Sequence, residues 1–310
     1  MRKHIILLFL ITLISCGKDD NNELSSDYFR KIEINTTQGL TDISFINENQ
    51  GIVCGTLGYF AKTNDGGKTW NKLNVGINHS FLSAFILNEN SFFTARIGLY
   101  KTQNSGSSFN EIGSLNGSSI FSINFRDDNL GFITQGGRIL KTTNGGNNWV
   151  EKYNTNTYYS LSNLQFENNV GYACGGSNFD NFNEGEIVKT VDNGVNWIKI
   201  TSSINITSIS FVDENIGFYS NINQEIFKTL NGGMSWMKIS TIGYLPLSIS
   251  YKNEQIGFLS TYEGKILKTE NGGKNWKVIY DKTNTPISKI ITIGNSVFAI
   301  GDNGLCLKSK

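Results

Sequence analysis

The chain has almost no histidine, little arginine and no paired cysteines. Of its 310 residues only His4 and His79 are histidine, and its four cysteines include no Cys-x-x-Cys. That leaves no ligand set for zinc. A disulfide framework is also missing. Cys54 (Gly51-Ile52-Val53-Cys54-Gly55) and Cys174 (Gly171-Tyr172-Ala173-Cys174-Gly175) hold equivalent places in two distant copies of a repeat. They are too far apart to bridge and are expected as buried thiols. Excess charge is absent too. There are 27 Lys+Arg and 26 Asp+Glu, and loss of residues 1–15 removes Arg2 and Lys3 and no acid, leaving −1. Such a chain offers no basic field for nucleic acid. No helical period follows the first fifteen residues, which excludes helical solenoids. No Gly-x-Ser-x-Gly elbow and no glycine-rich phosphate loop stands in the strand–helix context that such chemistry needs. Catalytic residues, cofactors and metals are all expected to be none.

What the chain has in abundance is one eight-residue stretch, Thr63-Asn64-Asp65-Gly66-Gly67-Lys68-Thr69-Trp70. It returns at Thr102 to Phe109, Thr142 to Trp149, Thr190 to Trp197, Thr229 to Trp236 and Thr269 to Trp276. A lysine precedes each copy, and a truncated seventh, Lys308-Ser309, ends the chain. Lysine-to-lysine spacings of 39, 40, 48, 39, 40 and 40 mark a repeat architecture. The stretch reads as a tight turn. An Asp or Asn side chain can accept from backbone N–H groups two residues on, and the glycines allow positive φ. The closing aromatic, Trp70, Phe109, Trp149, Trp197, Trp236 or Trp276, is large enough to fill the space between neighbouring sheets. A metal loop or a set of catalytic acids is the rival reading. The acid position argues against it, being Asp only at Asp65 and Asp192 and Asn at Asn104, Asn144, Asn231 and Asn271. Asn keeps the turn hydrogen bond but lacks the charge that Ca²⁺ or acid catalysis requires.

The stretch resembles the Asp-box, or bacterial neuraminidase repeat. The longer pattern is hydrophobic-x-Phe, then Asn-x-Gly-Phe, then Gly-x-Ile-Leu-Lys-Thr-x-Asn-Gly-Gly-x-x-Trp. It resembles the photosystem II assembly and stability factor-like propeller proteins over about residues 27–310. As a guide to fold the likeness is specific, because six copies agree in phase; Asp-box propellers host unrelated functions. The resemblance implies a ligand site on the face opposite the boxes, at the channel mouth. A photosynthetic partner is not implied, since nothing in the sequence points to a photosynthetic cell.

Residues 1–15 read as a secretion signal: Arg2-Lys3-His4, then the apolar run Ile5–Ile14, too short for a comfortable membrane span. Leu13-Ile14-Ser15-Cys16 resembles a lipobox, so Cys16 is expected to be acylated and to hold the chain to a bilayer. This places the protein in the cell envelope as an outer-membrane lipoprotein. Lys18-Asp19-Asp20 reads either as a surface-export tag or as a solvated tether. Residues 16–26 are the lipidated cysteine and a flexible linker.

Residues 27–310 form one domain. Leu40–Phe45, Gly51–Gly55, Tyr59–Lys62 and Trp70–Leu73 are four short strands with turns between them, the pattern of a propeller blade. The seventh unit stops one strand short, and Phe29-Arg30-Lys31-Ile32 matches Trp70-Asn71-Lys72-Leu73 in phase. The fold expected is therefore all-β: a single seven-bladed β-propeller with four antiparallel strands per blade. An N-terminal strand, Phe29–Ile34, completes the last blade beside Leu305–Lys308 and so removes open edges. The product is expected to be a monomer.

Alternation of strand direction sorts the loops. Boxes share a face with the first-to-second turns, and the second-to-third loops lie opposite with the blade connections. The 48-residue spacing puts about eight extra residues into the second-to-third loop of blade 4, with Phe179, Asp180, Phe182 and Glu184. Tyr158 and Tyr159 adjoin it. Arg96, Arg138, Glu225, Tyr244, Tyr262 and Glu263 belong to the same face. The insertion reads either as a tolerated surface loop or as part of a binding surface. Two functions fit: a non-catalytic module binding a protein or glycan, or a sialidase-like glycoside hydrolase. The hydrolase needs an arginine cluster and paired carboxylates. Only Arg30, Arg96, Arg126 and Arg138 follow Cys16. Arg126 falls on the box face and Arg30 on the closing strand, so the binding module is favoured.

Overall fold

A computed structural model describes residues 28–115, 117–156, 160–177 and 184–310. Those residues form seven four-stranded antiparallel sheets, in which strands pair in chain order from first to fourth. Blade 1 consists of Leu40–Phe45, Gly51–Gly55, Phe60–Thr63 and Asn71–Lys72. Blade 7 takes its first three strands, Lys289–Ile293, Ser296–Gly301 and Leu305–Ser309, from the end of the chain and its fourth, Phe29–Lys31, from the beginning. Phe29 faces Ser309 and Lys31 faces Leu307. The closing strand is shorter than expected. Ile32 still donates its N–H to Cys306, but Ile32 and Ile34 then leave the sheet to fill the core between blades 7 and 1. Fourth strands of blades 1 and 2 hold only two residues.

Five of the seven junctions between blades are built on one recurring stack; the first strands of blades 2 and 7 end instead in Ile86 and Ile293. The aromatic ending a first strand lies flat against an aromatic in the second strand of the preceding blade. Phe125 lies on Phe93 at 4.0 Å and Phe166 on Phe132 at 4.5 Å, as Phe45 does on Phe298. The box tryptophan then meets the first-strand ring edge-on, as in Trp149–Phe125 and Trp197–Phe166, both near 90°, a favoured aromatic geometry. This stack explains the glycine of Asn-x-Gly-Phe. A Cβ on Gly131 would sit 2.5 Å from the Phe125 ring, so the second strand must begin without a side chain. Burial of the box aromatics is uneven. Trp70 and Trp197 are buried, whereas Phe109, Trp149, Trp236 and Trp276 are half-exposed at the rim.

Cys54, Cys174 and Cys306 are buried, unpaired thiols in three different inter-blade cores. Burial pushes the Cys54 and Cys306 thiols up to about 12, so they stay protonated and inert.

Candidate binding site

The boxes are hydrogen-bonded turns of one uniform geometry. In all six, the threonine Oγ1 accepts from the N–H of the second glycine position, Gly67, Gly106, Gly146, Gly194, Gly233 or Gly273, at 2.9–3.0 Å. The same hydroxyl donates to Oδ1 of the Asp or Asn two residues on, at 2.7–3.1 Å. That Oδ1 in turn accepts from the backbone four residues further, not two, at 2.9–3.0 Å. The side chain therefore spans the whole loop, because two successive positive-φ residues, glycines except at Ser105 and Asn193, turn the chain back beneath it. Gly67 does so at φ +79°. Asp65 is held down to about 2: partial burial raises it, but the hydroxyls and N–H groups of Thr69, Thr63 and Lys68 outweigh burial. Asp192 is likewise held at about 2, mainly by the Asn196 N–H.

Four of the seven repeat lysines have a role the repeat pattern does not show. Lys101, Lys141, Lys189 and Lys308 each lay their ammonium over an aromatic ring of their own blade at 5.0–5.4 Å. Each then donates to a carbonyl in the next blade's box: Gly145, Asn193, Gly232 and Gly66 respectively. Burial lowers the pKa of all four. These lysines staple blade to blade.

First strands line the central channel, and their small polar side chains bridge the gaps between them. Ile86 N–H donates to Ser44 Oγ, Phe211 N–H to Gln165 Oε1, and Tyr251 N–H to Ser210 Oγ. Asp42 accepts from Ala84 N–H at 2.9 Å and pairs with Lys289 of blade 7 at 3.5 Å. The channel groups are therefore engaged in holding the ring together.

On the face opposite the boxes a hollow of about 320 Å³ opens beside the channel mouth, across blades 3 to 6. Phe121, Ile222, Leu245, Pro246 and Leu247 give it apolar walls, and Ser160, Asn205 and Thr207 supply polar edges. The other residues expected on this face are scattered. Arg96 forms no side-chain hydrogen bond or ion pair among the described residues. Arg138 is tied within blade 3, donating to Gln135 at 2.7 Å and lying 3.9 Å from Glu151. The two arginines do not meet. Glu184 is exposed at the start of a third strand. Glu186 is buried, accepts from Tyr153 at 2.9 Å and pairs with Lys199 at 3.3 Å. Glu225 pairs with Lys238 and accepts from Asn221, which lowers its pKa. Glu263 accepts the Leu245 N–H on both oxygens. Tyr244 packs into the core between blades 5 and 6, while Tyr262 is 57% exposed. Cys16, Tyr158, Tyr159, Phe179, Asp180 and Phe182 lie outside the described residues. The hollow itself is a feature the sequence reading missed, because its walls come from four blades.

Closed ring and box geometry together define a seven-bladed Asp-box propeller. A family model described as photosynthesis system II assembly factor YCF48 matches residues 21–186, and the chain belongs to that family. The structure of YCF48 bound to D1 peptide aligns with a TM-score of 0.75 at 19% identity, covering 93% of this chain and 98% of that one. YCF48 from Cyanidioschyzon merolae aligns at 0.74 and 18%, covering 91% and 98%. The WD40 propeller domain of Doa1 aligns at 0.71 and 10%, covering 91% and 95%. At these identities the likeness is one of fold. No curated protein matches the chain.

Proposed function

We propose that this chain is a non-catalytic binding module for a polypeptide, taken at the channel mouth opposite the boxes and held at the cell envelope by a lipid on Cys16. The observation that carries the reading is the hollow lined by Phe121, Ile222, Leu245, Pro246 and Leu247. It is apolar with a few polar edges, the usual make-up of a recognition pocket. Its size suits one or two side chains of an extended segment. The family supports a polypeptide ligand, since one solved member is YCF48 with a D1 peptide; that particular partner is not carried over. Four of the glutamates a hydrolase would draw on are Glu184, Glu186, Glu225 and Glu263. The last three are engaged by neighbouring groups, Glu186 by Tyr153 of blade 3, Glu225 by Asn221 and Glu263 by the Leu245 N–H, so a convergent carboxylate pair has no support.

A peptide library screened against residues 27–310 tests this reading. Selected peptides should bind wild type at least about tenfold more tightly than Leu247→Glu, which puts a charge into the apolar wall. Peptides that bind both proteins equally would remove the hollow from the proposal. Turnover of a sialoside or β-glucan, lost on Glu184→Gln or Glu263→Gln, would replace it with the hydrolase. The anchor is tested separately: Cys16→Ser should move the protein from the membrane to the soluble fraction, and wild type recovered soluble with Cys16 unmodified would refute lipidation.

A further inference from the structure

The box face carries an apolar surface that the fold does not need. In blade 4, Val191, Val195 and Ile198 are 67%, 51% and 63% exposed; in blade 5 the equivalent Leu230, Met234 and Met237 are 62%, 80% and 61% exposed. Those same three positions are Asn64, Lys68 and Asn71 in blade 1 and Glu270, Lys274 and Lys277 in blade 6, all exposed. The box turn forms identically in all four blades. Nothing in folding therefore selects Val, Ile, Leu and Met at these places, and monomers seldom leave a contiguous apolar patch of more than a few hundred Å² uncovered.

The positions are contiguous. At the junction of blades 1 and 2, Asn64, Asn71 and Leu73 face Glu89, Asn90 and Ser105 across one hollow of about 480 Å³. The corresponding residues at the junction of blades 4 and 5 are Val191, Ile198, Ile200, Glu214, Asn215 and Gly232. Ile200 lies against Gly233, immediately before Met234. The next junction repeats the arrangement with Leu230, Met237 and Ile239, and Ile239 lies against Gly273. At two positions each, Val191 with Ile198 and Leu230 with Met237, two successive inter-blade junctions are thus apolar where blade 1 has Asn64 and Asn71.

Charge names the kind of occupant. The turns and boxes that frame the groove between blades 4 and 5, residues 165–169, 190–198, 211–216 and 229–237, contain Glu167, Asp192, Asp213 and Glu214 and no lysine or arginine, whereas the blade 6 side of the next groove carries Lys252, Lys274 and Lys277. The adjoining cations are spent: Lys189 donates to Gly232 O at 2.8 Å and Lys199 pairs with Glu186 at 3.3 Å. An acid-rimmed surface repels an anionic bilayer and repels its own copy face to face, and it attracts apolar side chains flanked by positive charge.

We propose that the groove between blades 4 and 5 on the box face is a second binding surface, taking a polypeptide segment with aliphatic side chains flanked by lysine or arginine. This surface is independent of the channel-mouth hollow on the opposite face.

Three leucine-rich peptides of equal length, flanked by lysine, serine or glutamate, test the proposal by calorimetric titration of residues 27–310. The lysine-flanked peptide should bind at least about tenfold more tightly than the glutamate-flanked one, a difference that shrinks as salt is added. Val191→Asn/Val195→Lys/Ile198→Asn copies the blade 1 box and should fold with unchanged thermal stability while losing about tenfold or more in affinity. Asp213→Asn/Glu214→Gln should narrow the preference for lysine flanks. The proposal is overturned if no peptide binds, if all three bind alike, or if the triple variant binds as wild type does. It is overturned equally if vesicles of phosphatidylcholine with phosphatidylglycerol, or a second copy seen by sedimentation, prove to be what the wild type binds and the triple variant does not.

Discussion

Replacing Thr142 by valine isolates the hydrogen bond on which a box depends. Thr142 is buried, and its Oγ1 accepts the Gly146 N–H at 3.0 Å while donating to Asn144 Oδ1 at 3.0 Å. Valine keeps the shape and removes both bonds. Stranding a buried donor costs about 1–3 kcal/mol and the lost hydroxyl bond about 1 kcal/mol more. A total of about 3 kcal/mol is expected, partly because valine also places a methyl against the Asn144 oxygen. Thr142→Ser keeps the hydroxyl and loses one methyl, worth about 0.8 kcal/mol. Spread over a domain of this size, the valine variant should melt about 5 °C lower than wild type and the serine variant 1–2 °C lower, taking about 2.1 cal/mol/K of unfolding entropy per residue. Circular dichroism melts of the three proteins, side by side, read the difference. A valine variant as stable as the serine variant would show that the hydroxyl does not hold the turn, and the structural account of the boxes would fail.

Acid should find the two aspartate boxes and leave the asparagine boxes untouched. Asp65 and Asp192 have folded pKa values of about 2, below the ordinary aspartate value of 3.8. Their contribution is therefore complete above about pH 4 and is lost as pH falls towards 2. Asp65→Asn/Asp192→Asn should flatten the acid limb of a urea-midpoint-versus-pH curve between pH 4 and 2; an unchanged limb refutes it. Trp197→Ala, at a buried site, should cost about 3–5 kcal/mol, and Trp149→Ala, at a half-exposed one, about 2–3 kcal/mol; chemical denaturation giving the reverse order would break the link to burial. Lys189→Met keeps the aliphatic stem but loses the bond to Gly232 O, and should cost about 1–2 kcal/mol; a neutral result would make the lysine staple ornamental. Deleting residues 28–34 should unpair Leu305–Ser309 and produce concentration-dependent aggregation in light scattering. A deleted chain that stays monomeric would mean the ring does not depend on its closing strand.

Local chemistry makes the fold legible in the sequence. A tight turn is closed by residues a few places apart, so Thr, Asp or Asn and Gly at fixed offsets announce it. Six copies in one phase announce the ring, and Phe29 in the phase of Trp70 announces how the ring closes. What the side chains of one repeat do to the next was not legible. Lys189 is seen in the sequence, but that it reaches Gly232, and that Phe125 lies on Phe93, depends on the twist and spacing of two blades. The backbone N–H that donates to the box Asp or Asn lies two residues further on than expected, since only the folded loop shows how far the turn carries the chain. Arg96 and Arg138 look alike in the sequence, yet one is free among the described residues and the other is held by Gln135 and Glu151. The channel-mouth hollow draws its walls from Phe121, Ile222 and Leu245, over a hundred residues of chain. Sequence determined the repeat, its turns and its closure because those rest on bonds between near neighbours and on one period. Tertiary structure alone decided which faces carry ligand-sized hollows and which charges are spent, because both depend on side chains from separate blades meeting in space.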